Sequence, residues 1–168
     1  MISPDHVQTM ARYNEWQNGN LIDAAMGLSA SELKAERGVF WGSILKTFNH
    51  ILWADRIWMA RFEGLERPPL SVTEGLVAHG TLGEYHADRE AYDAHIREWA
   101  SEVSDDWLAG DLSFHSGAAG QDVTMPCGLC VTHFFNHQTH HRGQIHAMLT
   151  AAGAKPGDTD LFLMNWLA

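Results

Sequence analysis

The stretch between Pro126 and Pro156 constrains the fold more than any other part of the sequence. Within residues 128–152, Arg142 is the only residue with a formal charge, although the chain holds 11 Lys and Arg and 21 Asp and Glu. A helix so poor in charge is expected to be buried over much of its circumference, because a helix that faces solvent needs a polar face. The sequence therefore predicts a helix over 128–152 that is packed against others on most sides.

The rest of the chain is also predicted to be helical. The prolines stand where helices would begin or stop, and between them apolar residues recur at steps of three and four, which predicts long helices over 5–26, 43–63 and 82–103. Ser29 and Glu32 form a capping box for a short helix before Gly38. Residues 111–125 favour a short hairpin or an irregular crossover, and 158–167 a last short helix or an extended lid. Four helices of similar length predict an all-α four-helix bundle, built as a single domain over residues 1–168.

The charge balance excludes several classes of function. The formal net charge is −10, which argues against a nucleic-acid partner and against an anionic membrane surface. We find no apolar run long enough to span a bilayer, no apolar core of a signal peptide, and only two cysteines. These features predict a soluble cytoplasmic protein. Residues 84–106 carry eight acids and two arginines, which we interpret as a solvated helix face.

Histidines are as numerous as Lys and Arg together, and they cluster on the last long helix. Five of the eleven are His133, His137, His140, His141 and His146. His133 with His137, and His137 with His141, have the spacing of four residues that puts two imidazoles on one helix face. Either pair could bind one metal ion, and His50, in the middle of the second long helix, is the natural third ligand. Three histidines that leave one position open are typical of a metal site that does chemistry.

Two neighbouring motifs resemble sites with other chemistry, but they support it less strongly than the histidines support a metal site. The run from His137 to His141 has the outline of a zinc-protease helix, but Gln138 stands where that motif needs a glutamate base, which argues against peptide hydrolysis. Cys127 and Cys130 form a CxxC at the start of the same helix. A redox pair, or a zinc site with His133, is conceivable there, but we interpret them as two small residues at a helix start.

Four segments together resemble the DinB-like superfamily of damage-inducible bundle proteins. They are FWGSILKTFNHILWADRIWMARFEG over 40–64, NHQTHHRGQIHAML over 136–149, YNEWQN over 13–18 and GDTDLFLMNW over 157–166. The resemblance covers nearly the whole chain. It implies a bundle with up-down-down-up connection, often a homodimer, that holds a divalent metal, zinc or nickel in many members. The ligands that it implies by position are His50, His137 and His141, which selects the second of the two histidine pairs.

The resemblance also implies candidate functions. Some relatives are transferases or isomerases that use low-molecular-weight thiols such as bacillithiol or mycothiol, so we predict a metal-dependent thiol S-transferase that acts on a small molecule. A metal-dependent hydrolase, with Asp55 as one candidate base, is the first alternative. A non-catalytic metal-binding dimer with a role in stress response is the second. For Arg142 we favour a structural role, pairing with a carboxylate of another helix, over the positioning of an anionic substrate.

Overall fold

The computed structural model describes residues 1–165 and confirms the predicted all-α four-helix bundle. Its elements are α1 Pro4–Ala25, α2 Ala30–Lys34, α3 Ile44–Phe62, α4 Val72–Gly75, α5 Leu82–Glu102, α6 Asp105–Ala109, β1 Asp111–Ser116, β2 Gln121–Pro126, α7 Cys127–Ala151 and a 3-10 helix Leu161–Asn165. The short helices α4 and α6 were not predicted. Residues 166 and 167 of the predicted last element lie outside the described residues.

Side-chain caps determine where several helices begin. The hydroxyl of Ser43 accepts a hydrogen bond from the backbone N–H of Lys46 at the start of α3. Thr81 caps α5 in the same way, and the carboxylate of Glu84 accepts from the Thr81 backbone N–H, which completes a capping box. The predicted capping box at Ser29 is confirmed at the start of α2. Caps of this kind satisfy backbone donors that have no partner within the helix.

Two apolar clusters fix the direction of the four long helices. One cluster joins the beginnings of α1 and α7 to the ends of α3 and α5, for example Val7 and Phe134 with Phe62 and Trp99. The second cluster joins the opposite ends of the same helices. Helices α1 and α7 therefore run one way and α3 and α5 the other, which is the up-down-down-up arrangement.

A buried polar layer separates the two apolar clusters. Its members are Asn14, Asn18, Asp55, Arg89, Asp93, Gln138 and Arg142, all buried, with at least one from every long helix. Arg89 donates through Nη1 to Asp55 at 2.6 Å, and its Nη2 lies 2.9 Å from the Asp93 carboxylate. The interpretation of α5 as a solvated acidic face is therefore wrong for Arg89 and Asp93, since both face the core and pair there.

The hairpin before α7 packs against α3. Strand β1 pairs antiparallel with β2, from Asp111 opposite Pro126 to Ser116 opposite Gln121. Phe114 of β1 packs against Trp58 of α3, with ring centroids 5.4 Å apart. The hairpin thereby forms one wall of a cavity beside α3. No helix within residues 1–165 combines the length and apolar content needed to cross a membrane.

Candidate metal centre

Helices α3 and α7 bring three of the predicted histidines together. His50 of α3 lies with its Nε2 atom 3.2 Å from Nε2 of His137 on α7. His141 follows one helical turn after His137, and one ring nitrogen from each of the three lies within 4.8 Å of the other two. His133 is exposed and is not a member of this group, although its ring centroid is 5.9 Å from that of His137. The structure thus brings together the set that the resemblance implied.

Neighbouring side chains orient these rings. Nδ1 of His141 donates a hydrogen bond to Oε1 of Gln144 at 2.8 Å, which leaves its Nε2 lone pair free. The indole of Trp41 covers His50, with ring centroids 4.1 Å apart. The Nε2 atoms of His50 and His137 face each other, and a cation shared between them would satisfy both lone pairs. The donor set therefore fits a divalent metal, for which imidazole is a common ligand.

The three imidazoles are held in the form that a metal needs. Burial, together with the neighbouring histidines, lowers the pKa of His50 and of His137 to about 3. Burial also lowers the pKa of His141, although the hydrogen bond to Gln144 opposes that shift. All three rings are neutral near pH 7, and a neutral ring presents a lone pair without first losing a proton.

Comparison with known proteins agrees with the fold. The sequence model of the DinB family matches residues 3–168. The chain belongs to the DinB family. A crystal structure of a DinB-like protein from Bacillus cereus ATCC 10987 is similar to this fold, with a TM-score of 0.66 and 20% sequence identity over 87% of this chain and 90% of that chain. At that identity the likeness supports the fold alone. No curated protein matches the chain.

In this DinB-family protein the histidines adjoin a cavity of about 930 Å³. His50 and His137 are among its nineteen lining residues. Aromatic and apolar side chains dominate the rest of the wall, including Trp41, Trp53, Trp58, Phe114, Met125 and Leu129. A mostly apolar cavity of this size suits a small organic molecule, placed beside the three imidazoles.

The carboxylate that we considered as a hydrolytic base lies elsewhere. Among the described residues that line the cavity there is no Asp or Glu. Asp55 is fully buried in the polar layer, where it accepts hydrogen bonds from Arg89 at 2.6 Å and from Gln138 at 3.0 Å. Gln138, which occupies the position of the protease glutamate, therefore has a structural partner in the core.

The contacts of Arg142 differ from the predicted pairing with a carboxylate. It is buried, and it donates to the side-chain oxygens of Asn14 and Thr139. Within residues 1–165 it forms no ion pair, so the predicted pairing with a carboxylate is wrong. Asn14 stands between Arg142 and Asp93, because the amide of Asn14 in turn donates to that carboxylate at 2.9 Å. Burial lowers the pKa of Arg142 to about 10.

The CxxC pair fits the interpretation as small core residues. Cys127 and Cys130 are free and buried, and Cys130 belongs to an apolar cluster. Burial raises the pKa of both thiols, which disfavours the thiolate that redox chemistry requires. Neither cysteine joins His133 in a metal-binding group among the described residues.

Two contributors to the site were missed in the sequence. Gln144 follows His141 by three residues, and that spacing could have indicated a contact on one helix face. Trp41 lies before the start of α3 and reaches back over His50, so no periodicity links the two residues. His79, in the loop before α5, is mostly enclosed, with Asn49 and Asp88 as partners at 2.7 and 2.8 Å.

Proposed function

We propose that His50, His137 and His141 bind one divalent metal ion, zinc or nickel, in this DinB-family protein. The observation that carries the proposal is the convergence of three neutral imidazoles from α3 and α7, with one nitrogen of each within 4.8 Å of the others. His50 and His141 are buried and His137 is partly buried, and burial of an imidazole is costly unless its ring nitrogens find a partner. The hydrogen bond from His141 to Gln144 supports the same reading, since metal-bound histidines usually donate their second N–H to a neighbour.

We further propose that the protein is a metal-dependent S-transferase that joins a low-molecular-weight thiol to a small molecule. A divalent metal held by the three imidazoles would supply a Lewis acid that lowers the pKa of a bound thiol. The chain supplies an apolar cavity that holds the second substrate and limits access of water. Hydrolysis by an Asp or Glu base would need a carboxylate at the cavity wall, and none stands among the lining residues that the structure describes. That absence counts against hydrolysis by Asp55 or by another carboxylate base.

Metal analysis of the purified protein tests the ligand assignment. We expect about one equivalent of metal in the parent protein, and its loss in His141→Ala. His133→Ala is the matched control, because it removes an imidazole from the same helix outside the proposed site. Retention of metal in His141→Ala, or its loss in His133→Ala, would show that the ligands are assigned wrongly.

A thiol-transfer screen on the metal-loaded protein tests the activity. Each of several low-molecular-weight thiols is incubated with an electrophilic acceptor, and the adduct is measured by mass spectrometry before and after chelation. Adduct formation that is lost with the chelator and restored by zinc supports the S-transferase. Bound metal without turnover of any thiol would favour the non-catalytic alternative, and metal-dependent ester or amide cleavage would favour the hydrolase.

The homodimer remains a proposal that depends on the resemblance. Light scattering coupled to size-exclusion chromatography would measure the molar mass directly, against the 18.7 kDa of one chain. A mass near twice that value supports the dimer, and a mass near 18.7 kDa contradicts it.

A further inference from the structure

The cavity beside the histidines carries a charge opposite to that of the whole chain. Within residues 1–165, Arg61 and Arg67 are the only lining residues with a formal charge, and no carboxylate accompanies them on the wall. The chain as a whole has a formal net charge of −10. Two guanidinium groups on an otherwise mostly apolar wall mark a local positive region that the overall composition does not predict.

Arg61 is held in place by aromatic rings. Its guanidinium carbon lies 4.5 Å from the ring centroid of Trp58 and 4.2 Å from that of Phe114. One N–H group donates to the backbone carbonyl of His115 at 3.1 Å. Stacking of this kind fixes the plane of a guanidinium group and leaves its remaining N–H groups available.

Neither cavity arginine has a carboxylate partner in the part of the chain that the structure describes. In contrast, Arg56 pairs with Asp88, Arg89 with Asp55, and Arg97 with Glu15. Partial burial and the neighbouring Arg67 charge both lower the pKa of Arg61, which reflects the lack of a compensating anion. A ligand that brought a negative charge between the two guanidinium groups would supply that compensation.

We propose that the cavity binds a small molecule with a flat apolar body and one anionic group, and that Arg61 and Arg67 hold the anion. The inference rests on the proposed function in that it names the substrate class of the same site, namely aromatic carboxylates, phosphates or sulfonates. Trp53 and Trp58 line the space for the apolar body. Because His50 and His137 line the same cavity, the anion subsite fixes which end of the substrate meets the metal centre.

Two matched probes test the proposal on the intact chain. Naphthalene-2-sulfonate carries the charge, and methyl 2-naphthyl sulfone is its neutral counterpart of similar shape. Dissociation constants are measured by calorimetry in a buffer free of sulfonate, for protein with zinc and for protein with chelator. We expect the parent to bind the anion at least about tenfold more tightly than the sulfone, as charge-assisted hydrogen bonds imply.

Variants then assign that preference to residues. In Arg61→Met/Arg67→Met the ratio of the two constants should fall to near one, while Arg97→Met, which removes an exposed arginine outside the cavity, should keep it. Arg67→Met alone, on the exposed segment after α3, should reduce the ratio without disturbing the stacking of Arg61. Circular dichroism and thermal unfolding verify that each variant is folded.

The outcomes separate this inference from the metal proposal. An equal affinity for both probes in the parent, or a preference that survives the double variant, would overturn the anion subsite. A preference lost with the chelator but retained in the double variant would also overturn it, because the metal would then be the anion's partner. An arginine-dependent preference in protein that binds no zinc would sustain the subsite while the metal proposal fails.

Discussion

Helices α3 and α7 contribute to two groups of polar side chains, and the groups differ in what their atoms contact. In the polar layer, Asp55 accepts from Arg89 and Gln138, so its charge is offset inside the core. In the histidine group, the Nε2 atoms of His50 and His137 face each other. Neither atom contacts a lysine, an arginine or a carboxylate of the described residues. The carboxylates of the first group are paired with Arg89, whereas the second group presents lone pairs to a common point.

This difference distinguishes side chains that stabilise the fold from side chains that are available to bind a ligand. Arg89 of α5 pairs with Asp55 of α3 inside the core. Hydrogen bonds from Asn14 and Gln138 extend this layer to α1 and α7. Neutral imidazoles beside a cavity supply the donors that a metal needs. We therefore expect substitutions in the polar layer to change the free energy of unfolding, and substitutions in the histidine group to change the binding of metal.

The largest expected effect is on Arg89. Replacing it by Met keeps much of the apolar stem but leaves the Asp55 and Asp93 carboxylates without their cation. Loss of one partner from a buried ion pair costs about 3–5 kcal/mol, because the other charge remains buried. Urea denaturation should show a decrease of that size in the free energy of unfolding.

Arg97→Met on the same helix is the control for Arg89→Met. Arg97 pairs with Glu15 at 2.8 Å, but both side chains are about half exposed. Exposed pairs contribute about 0–1 kcal/mol, so the control should unfold almost as the parent does. Equal losses in the two variants would mean that the buried layer contributes no more than a surface pair.

Local signals account for how well the helices could be predicted. Apolar spacing and caps such as Ser43 depend on neighbours within a few residues, so the predicted bounds of α3 and α7 differ from those observed by one residue at each end. The burial of Arg89 could not be predicted, because its partner Asp55 is 34 residues away on another helix. The partner of Arg142 was predicted wrongly for the same reason, since Asn14 lies 128 residues away.

The histidine group shows a similar limit. Helical spacing alone gave His133 with His137 and His137 with His141 equal standing, because both pairs are four residues apart. Only the resemblance to the DinB family selected the second pair, and the structure brings that pair to His50. The position of Arg61 and Arg67 on the cavity wall was not predicted, because it depends on how the hairpin that carries Phe114 packs against α3.

Zinc is expected to stabilise the protein through the histidine group. A ligand at one hundred times its dissociation constant adds about 2.7 kcal/mol to the free energy of unfolding. For a chain of this length that corresponds to a rise of about 5–10 °C in melting temperature, measurable by differential scanning calorimetry. The rise should disappear in His50→Gln and persist in Arg97→Met. An undiminished rise in His50→Gln would place the zinc elsewhere.

Two glutamines of α7 allow the comparison to be made within one helix. Gln144→Met removes the partner of His141 and should weaken zinc binding about tenfold, as the loss of an orienting hydrogen bond does at other metal sites. Gln138→Met removes a partner of Asp55 instead, and should lower the free energy of unfolding by about 1 kcal/mol without changing zinc affinity. Competition titration with a chromophoric chelator measures the first effect and urea denaturation the second. If both variants changed the same quantity, the two groups would not be separable.

The smallest expected effect is the pH dependence of the metal-free protein. The pKa of His50 is about 3 when folded, below the value of about 6.5 that an unfolded histidine has. Because the unfolded chain takes up the proton more readily, the stability that the neutral ring contributes is complete above pH 6.5 and is lost as the pH falls towards 3. Between pH 6.5 and 5.5, His50 alone should account for a decrease of about 1 kcal/mol. His50→Gln has no proton to gain at this position, so its free energy of unfolding should fall by that much less over the same interval in chelator. Parallel pH profiles for the two proteins would show that His50 is as accessible to protons in the folded chain as in the unfolded one, and would remove the physical distinction between this imidazole and an ordinary surface histidine.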